Sequence, residues 1–147
     1  MLSATCRGVV LFAAMLLMSP ALAQQPTQRI ENPVAEFTGL DKITGRTITF
    51  DVYIGETVQF GALQVTPRVC YTAGEEVEPR TDSYVEVDEI TLDRTIRRIF
   101  SGWMFAESPG LNAVEHAVYD VWLTDCKGDS EVPAPSESAP SEPAPSE

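Results

Sequence analysis

The residues best suited to chemistry are a single histidine, His116, and the hydroxyl and carboxyl groups that could act with it. Ser101, His116 and Asp120 are the residue types of a nucleophilic triad, in which the histidine takes the proton of the serine hydroxyl. The Gly-x-Ser-x-Gly turn that presents such a serine in many hydrolases does not occur in the sequence. We therefore interpret His116 as a partly buried hydrogen-bonding residue, and we expect no catalytic residue and no enzymatic activity.

The sequence gives only a weak indication of a metal or cofactor site. Four carboxylates lie close together at Glu86, Asp88, Glu89 and Asp93, but their spacing is not that of an EF-hand loop. One histidine with scattered carboxylates rarely forms a transition-metal site. The sequence has no glycine-rich phosphate loop and no basic-aromatic pattern for nucleic acid. We interpret the acidic cluster as a solvated face and expect no metal, no cofactor and no nucleic-acid partner.

The segment at residues 100–110, FSGWMFAESPG, is the most unusual part of the sequence because it concentrates large apolar side chains. In a strand, Met104 would face one side, and Trp103 and Phe105 the other. Large apolar residues continue downstream, and three arginines stand just before the segment. The candidate binding surface comprises Arg94, Arg97, Arg98, Trp103, Met104, Phe105, His116, Tyr119 and Trp122.

Two interpretations of this candidate surface stay open. Its aromatic residues either fill the core or form a contact platform, since Trp, Tyr and Met are enriched at interface cores. The arginines either bind a carboxylate-bearing partner or keep a solvent-facing strand edge from aggregating.

The elements that would position these residues are β-strands. Residues 46–52 alternate between apolar and polar types, which is typical of a half-buried strand. The alternation changes phase at Gly61, which predicts a bulge or tight corner, and Pro67 predicts an edge strand or a break. Only residues 109–116 offer room for a helical turn. We predict an all-β fold, a small antiparallel sandwich or barrel of about six or seven strands, with one disulfide.

The two ends of the chain differ from this central part. Residues 1–23 have a positive start, a short apolar run and an Ala-Leu-Ala cleavage pattern, which predicts a signal peptide cleaved near Ala23, or otherwise an uncleaved anchor. Residues 24–33 are a linker and residues 34–127 the β domain. Residues 128–147 repeat Ala-Pro-Ser-Glu, which predicts a disordered tail.

The charge and the cysteine content limit the classes of partner and the cellular compartment that fit the sequence. The net charge of −12 disfavours nucleic acid and anionic lipid headgroups as partners. Two cysteines remain beyond the predicted signal peptide, Cys70 and Cys126, and an even pair in a small exported domain is most simply a disulfide. We expect a periplasmic protein with no membrane insertion after signal cleavage.

Four stretches resemble one known family. They are residues 39–45 (GLDKITG), 55–71 (GETVQFGAL running on to RVCY), 100–106 (FSGWMFA) and 115–126 (EHAVYDVWLTDC). They are similar to the uncharacterised exported proteins, mainly alphaproteobacterial, grouped as domain of unknown function 2155. The resemblance implies a periplasmic setting and supplies no activity, cofactor or catalytic residue. It also implies a possible link to an inner-membrane complex such as respiratory complex I.

Together these observations lead to one expected function and one alternative. We expect a non-enzymatic accessory domain of the cell envelope whose partner is another envelope protein. The alternative is a module for small ligands or glycans that uses Trp103, Tyr119 or Trp122 as a stacking surface.

Overall fold

A computed structural model describes residues 29–74 and 78–134, and these residues form nine β-strands and no helix. None of them therefore belongs to a helix able to cross a membrane. The strands are β1 (Arg29–Glu31), β2 (Val34–Asp41), β3 (Arg46–Tyr53), β4 (Val58–Phe60), β5 (Leu63–Ala73), β6 (Thr81–Ile90), β7 (Ile96–Phe105), β8 (Val114–Glu115) and β9 (Tyr119–Lys127). The predicted signal peptide and the repeats beyond residue 134 lie outside the described residues.

The nine strands form two antiparallel sheets. In sheet A, β7 pairs with β6 and β6 with β5, while β4 and β1 both pair with the other edge of β5. Sheet B has the order β3-β2-β9-β8. The predicted all-β antiparallel fold is confirmed as a sandwich, and the sheets do not close into a barrel. Six strands have eight residues or more, and the other three have only two or three.

The core lies between the inward faces of the two sheets. Alternation along each strand sends every second side chain inward, so that Phe37 and Leu123 of sheet B meet Val85 and Met104 of sheet A. These side chains are essentially inaccessible to solvent. Because the residues between them face outward, each sheet also has an outer face.

A disulfide joins the two sheets. Cys70 on β5 is bonded to Cys126 on β9, with 5.7 Å between their Cα atoms, so the predicted pairing is confirmed. Both cysteines belong to the buried core. The bond therefore crosses the sandwich and does not link two strands of one sheet.

Glycine and proline shape β5 and the turn before it. Gly61 has φ +58° in the two-residue turn between β4 and β5, as the predicted corner requires, and the ring of Tyr119 occupies the space of a Cβ. The register of β5 against β6 shifts between Pro67 and Val69, which confirms a break. On the other side of β5, β4 pairs with residues 63–65 and β1 with residues 71–73, so Pro67 lies on an open part of that edge. Residues 109–116, the one segment with room for a helical turn, form turns and β8.

The predicted domain limits fall close to strand ends. β1 lies within the predicted linker 24–33, and β9 ends at Lys127. Beyond β9, Ser130 bonds the Asp51 carboxylate and the Tyr53 hydroxyl donates to the Val132 carbonyl at 2.8 Å. The first residues of the predicted tail thus contact β3.

Candidate functional site

The outer face of sheet A carries three aromatic rings, which we call the aromatic cluster: Tyr71, Tyr84 and Trp103. Tyr84 on β6 is directly opposite Trp103 on β7, and the two rings meet edge to face with centroids 5.6 Å apart. Tyr71 on β5 also stacks on Trp103, with centroids 6.3 Å apart. Cross-strand aromatic pairs of this kind stabilise a sheet, and here they also hold the indole of Trp103 in one orientation.

Arg29 lies over this cluster. Its guanidinium carbon is 4.5 Å from the Tyr71 ring centroid and 5.6 Å from that of Trp103, within the range of cation–π attraction. The same guanidinium forms an ion pair with Asp82 of β6. We call Tyr71, Asp82 and Trp103 the cation cage, since together they surround one positive charge with a carboxylate and two aromatic faces.

An open groove continues from the cation cage across the end of sheet A. The part nearest Trp103 has a volume of about 500 Å³. Its lining comprises Trp103 and Asp82 of the cage together with Arg29, Ala73, Arg80 and Phe105. The groove then passes between Arg80 and Leu111, which is largely exposed. It thus combines apolar walls with two arginines, a lining suited to an extended segment that has both apolar and polar groups.

The other half of the outer face of sheet A is an ion-pair network. Arg68 donates to Glu86 at 2.8 and 2.6 Å, and Arg98 bonds both Glu86 and Asp88. The hydrogen bond from Arg68 lowers the pKa of Glu86, and the hydrogen bond to Asp88 raises the pKa of Arg98. These acidic residues, which we interpreted as a solvated face, are thus paired with arginines.

The three predicted arginines do not share one surface role. Arg97 bonds Glu89 at 2.6 Å, and Arg98 belongs to the ion-pair network, so both bind carboxylates of their own chain. Arg94 lies exposed in the turn between β6 and β7, with φ +64°.

His116 lies at the end of the sandwich where β4 turns into β5. Its Nε2 is 3.0 Å from a carboxylate oxygen of Glu89, its Nδ1 accepts a hydrogen bond from the backbone of Val118, and its ring stacks on Tyr119 at 5.7 Å. Hydrogen bonds from Arg97 and then from His116 lower the pKa of Glu89. The side chain of His116 is only 16% exposed, and both of its ring nitrogens are hydrogen-bonded.

The triad residue types are not brought together. The Ser101 hydroxyl bonds Tyr84, His116 bonds Glu89, and Asp120 pairs with Lys42. Within residues 29–74 and 78–134, no group of three His, Cys, Asp or Glu side chains is arranged to hold a metal ion.

The predicted aromatic surface is divided between different places. Met104 is in the core, and Phe105 lines the groove beside Trp103. Trp122 occupies an outward position of β9 in sheet B, so the two tryptophans face opposite sides of the sandwich. Tyr119 packs edge to face on Phe60 at the margin of the core. A single platform of Trp103, Tyr119 and Trp122 does not exist.

Sequence reasoning missed four residues of this site. Tyr84 and Asp82 could have been placed outward from the alternation around the buried Val85 and Val87. Tyr71 follows Cys70 in the same strand, so it could have been placed on the face of the strand opposite to that of Cys70. Arg29 had no usable signal, because three residues are too few for a periodic pattern.

Comparison with known proteins gives a family match and one remote relative. Residues 35–126 match the family model described as an uncharacterised protein conserved in bacteria (DUF2155). An uncharacterised protein of Rickettsia prowazekii (strain Madrid E), RP359, is 28% identical over 90 residues, 59% of this chain and 56% of that protein. The chain therefore spans little more than half the length of that relative. No solved structure matches significantly.

Proposed function

The chain belongs to the DUF2155 family of uncharacterised bacterial proteins, and from this premise we propose that it is a non-enzymatic protein-binding domain of the cell envelope. The observation that carries the proposal is the position of Trp103. Its indole contacts two tyrosines on the outer face of a sheet, stacking on Tyr71 and meeting Tyr84 edge to face, and it is only partly buried beside an open groove. A large aromatic side chain fixed in this way is the typical centre of a protein interface.

The surroundings of Trp103 support a protein partner. Arg29, Arg80 and Phe105 join it along the groove, and arginine and aromatic residues are the types enriched in interface cores. No described element covers this face, and uncovered apolar surface on a small domain commonly marks an interaction site.

The proposed setting is the periplasm. The leader-like sequence of residues 1–23 and the disulfide between the sheets both agree with export to an oxidising compartment. The partner in this proposal is another envelope protein, with an inner-membrane complex such as respiratory complex I as one candidate.

The test compares two tryptophan variants of the full chain. Trp103→Ala removes the centre of the proposed surface, and Trp122→Ala is the matched control on the opposite sheet. Each tagged protein is cross-linked in living cells, and the captured proteins are quantified by mass spectrometry. We expect Trp103→Ala to lose specific partners that the wild type and Trp122→Ala retain. An identical set of partners for all three proteins contradicts the proposal.

The groove itself favours a second candidate, a module that binds a small ligand or glycan. Trp103 and Phe105 line one wall with Arg80 nearby, an arrangement in which a sugar ring could stack and a carboxylate could be bound. Titration of cell-wall fragments into Trp122→Phe protein, in which Trp103 is the remaining tryptophan, tests it by fluorescence. Absence of any spectral change on saturation with these fragments rejects this candidate.

A further inference from the structure

The cation cage contains a buried carboxylate with one cationic partner. Asp82 is only 5% exposed although it occupies an outward position of β6, because the side chain of Arg29 lies over it. Within the described residues its carboxylate is bonded to Arg29 alone. A buried carboxylate needs a cation or several hydrogen-bond donors. If Arg29 leaves the cage, another cationic group must therefore take its place beside Asp82.

The residue that supplies this charge belongs to a weakly held element. β1 has three residues, all of them exposed, and it pairs only with the last three residues of β5. The Arg29 side chain is itself 47% exposed. Beyond β1, Asn32 is bonded to the Cys70 carbonyl and to the Thr72 hydroxyl before the chain crosses to sheet B. Short exposed strands of this kind open locally without unfolding the domain.

We propose that the cation cage is a binding site for an arginine of a partner protein, presented on an extended segment that replaces β1 along the edge of β5. This inference rests on the proposed function and specifies its partner. Arg29 then occupies the site in the free protein, and the incoming strand makes the same backbone hydrogen bonds with Tyr71, Thr72 and Ala73. Because one arginine replaces another, the carboxylate of Asp82 is paired with an arginine in the free protein and in the complex.

The chemistry of the cage favours arginine over lysine. A guanidinium is planar, so it can stack on the faces of Tyr71 and Trp103 while its edge donates to Asp82. The ammonium group of lysine has no planar face, so it cannot stack on the two rings while its edge donates to Asp82. The net charge of −12 attracts a basic segment in the encounter. The groove beyond Phe105, whose lining includes Glu78 and Glu107 as well as Leu111, accommodates the residues that precede the arginine.

The test uses short blocked peptides and a full-length variant in which β1 can no longer fill the site. The vacated variant carries Arg29→Ala and Ile30→Pro, since proline cannot pair in the strand. The probes are TQRIEN, which copies residues 27–32, and the same peptide with Gln or Lys in place of arginine. Affinities are measured by calorimetry, with circular dichroism and disulfide titration confirming that the variant is folded. Arg29→Ala alone serves if the double variant does not fold.

We expect the vacated variant to bind the arginine peptide about tenfold more tightly than the wild type does, and about tenfold more tightly than it binds the glutamine peptide. The lysine peptide should fall between them, and adding Asp82→Asn should remove the preference for arginine. Equal affinity for the three peptides, or no binding to folded vacated protein, overturns the inference. A wild-type dimer that the vacated variant fails to form also overturns it, because the occupant is then β1 of a second copy.

Failure of this inference is distinguishable from failure of the proposed function. If Trp103→Ala loses its cross-linked partners while no peptide binds, the outer face of sheet A still binds proteins but the cage does not accept their arginines. If arginine peptides bind while Trp103→Ala retains every partner, the cage is a site for cationic peptides and the protein-docking role of this face is wrong.

Discussion

The disulfide makes a large contribution to stability that can be calculated from its position in the chain. Cys70 and Cys126 are 56 positions apart, and linking them restricts the unfolded chain far more than the folded one. The chain-entropy treatment gives about 4 kcal/mol at 25 °C for a loop of this length. Small domains have a total unfolding free energy of only about 5–15 kcal/mol, so we expect loss of the bond to remove a large part of it.

Burial adds to this expectation. Both sulfurs lie in the core, so Cys70→Ala with Cys126→Ala also removes packed atoms between the sheets. Urea unfolding of the oxidised wild type and of the double variant, followed by circular dichroism, measures the difference. In thermal unfolding of the same two proteins, the midpoint temperature should fall by roughly 15–30 °C. The control is the wild type unfolded in reductant, which keeps the cysteines but breaks the bond. A difference below about 1 kcal/mol in both comparisons would refute the reasoning.

Three further predictions concern the turn, the core and the end of the sandwich. Gly61→Ala should destabilise the protein by about 2 kcal/mol or more, because the backbone of residue 61 has a positive φ and an added Cβ would meet the ring of Tyr119. Gly110 lies in open space, so Gly110→Ala should have little effect in the same urea assay. Phe37→Ala should cost about 3–5 kcal/mol by thermal unfolding, and an unchanged midpoint would mean that this fully buried ring is not packed as described. Glu89 has a pKa lowered below its ordinary value of 4.5, so its contribution to stability is present above that pH and is lost as the pH falls through the lowered value. Glu89→Gln should therefore flatten the acid limb of a plot of stability against pH, and a limb of unchanged steepness would contradict this assignment.

The sequence predicts some strands better than others: β3 shows a clear period, whereas β2 was not identified and β6 was expected only as a short strand around Val85 and Val87. In β3, the alternation of Thr and Asp with Ile, Phe and Val identifies the strand without any tertiary information. β1, β4 and β8 have two or three residues, too few to show a period, and they exist because a longer strand offers them an edge. Pro67 fits into β5 because β4 pairs with β5 before the proline and β1 pairs with it after the proline, which leaves that edge of β5 open at Pro67.

The candidate site was only half predictable. Alternation alone places Trp103 and Phe105 on one side of β7 and Met104 on the other, and the structure agrees. Alternation cannot say which sheet a strand joins, so it could not reveal that Trp103 and Trp122 face away from each other. The partnership of Arg29 with Asp82 joins residues 53 positions apart and depends on the pairing of β1 with β5, which is a property of the assembled sheet.

The bond between the sheets also determines how the protein would respond to mechanical tension. A chain pulled from its two ends can lengthen only through residues outside the loop that Cys70 and Cys126 close. At about 3.4 Å per extended residue, the loop withholds roughly 190 Å of contour length from a stretching force. β6, β7 and β8 lie wholly within this loop, so Trp103 belongs to the part of the chain that tension on the two ends cannot extend while the disulfide is intact.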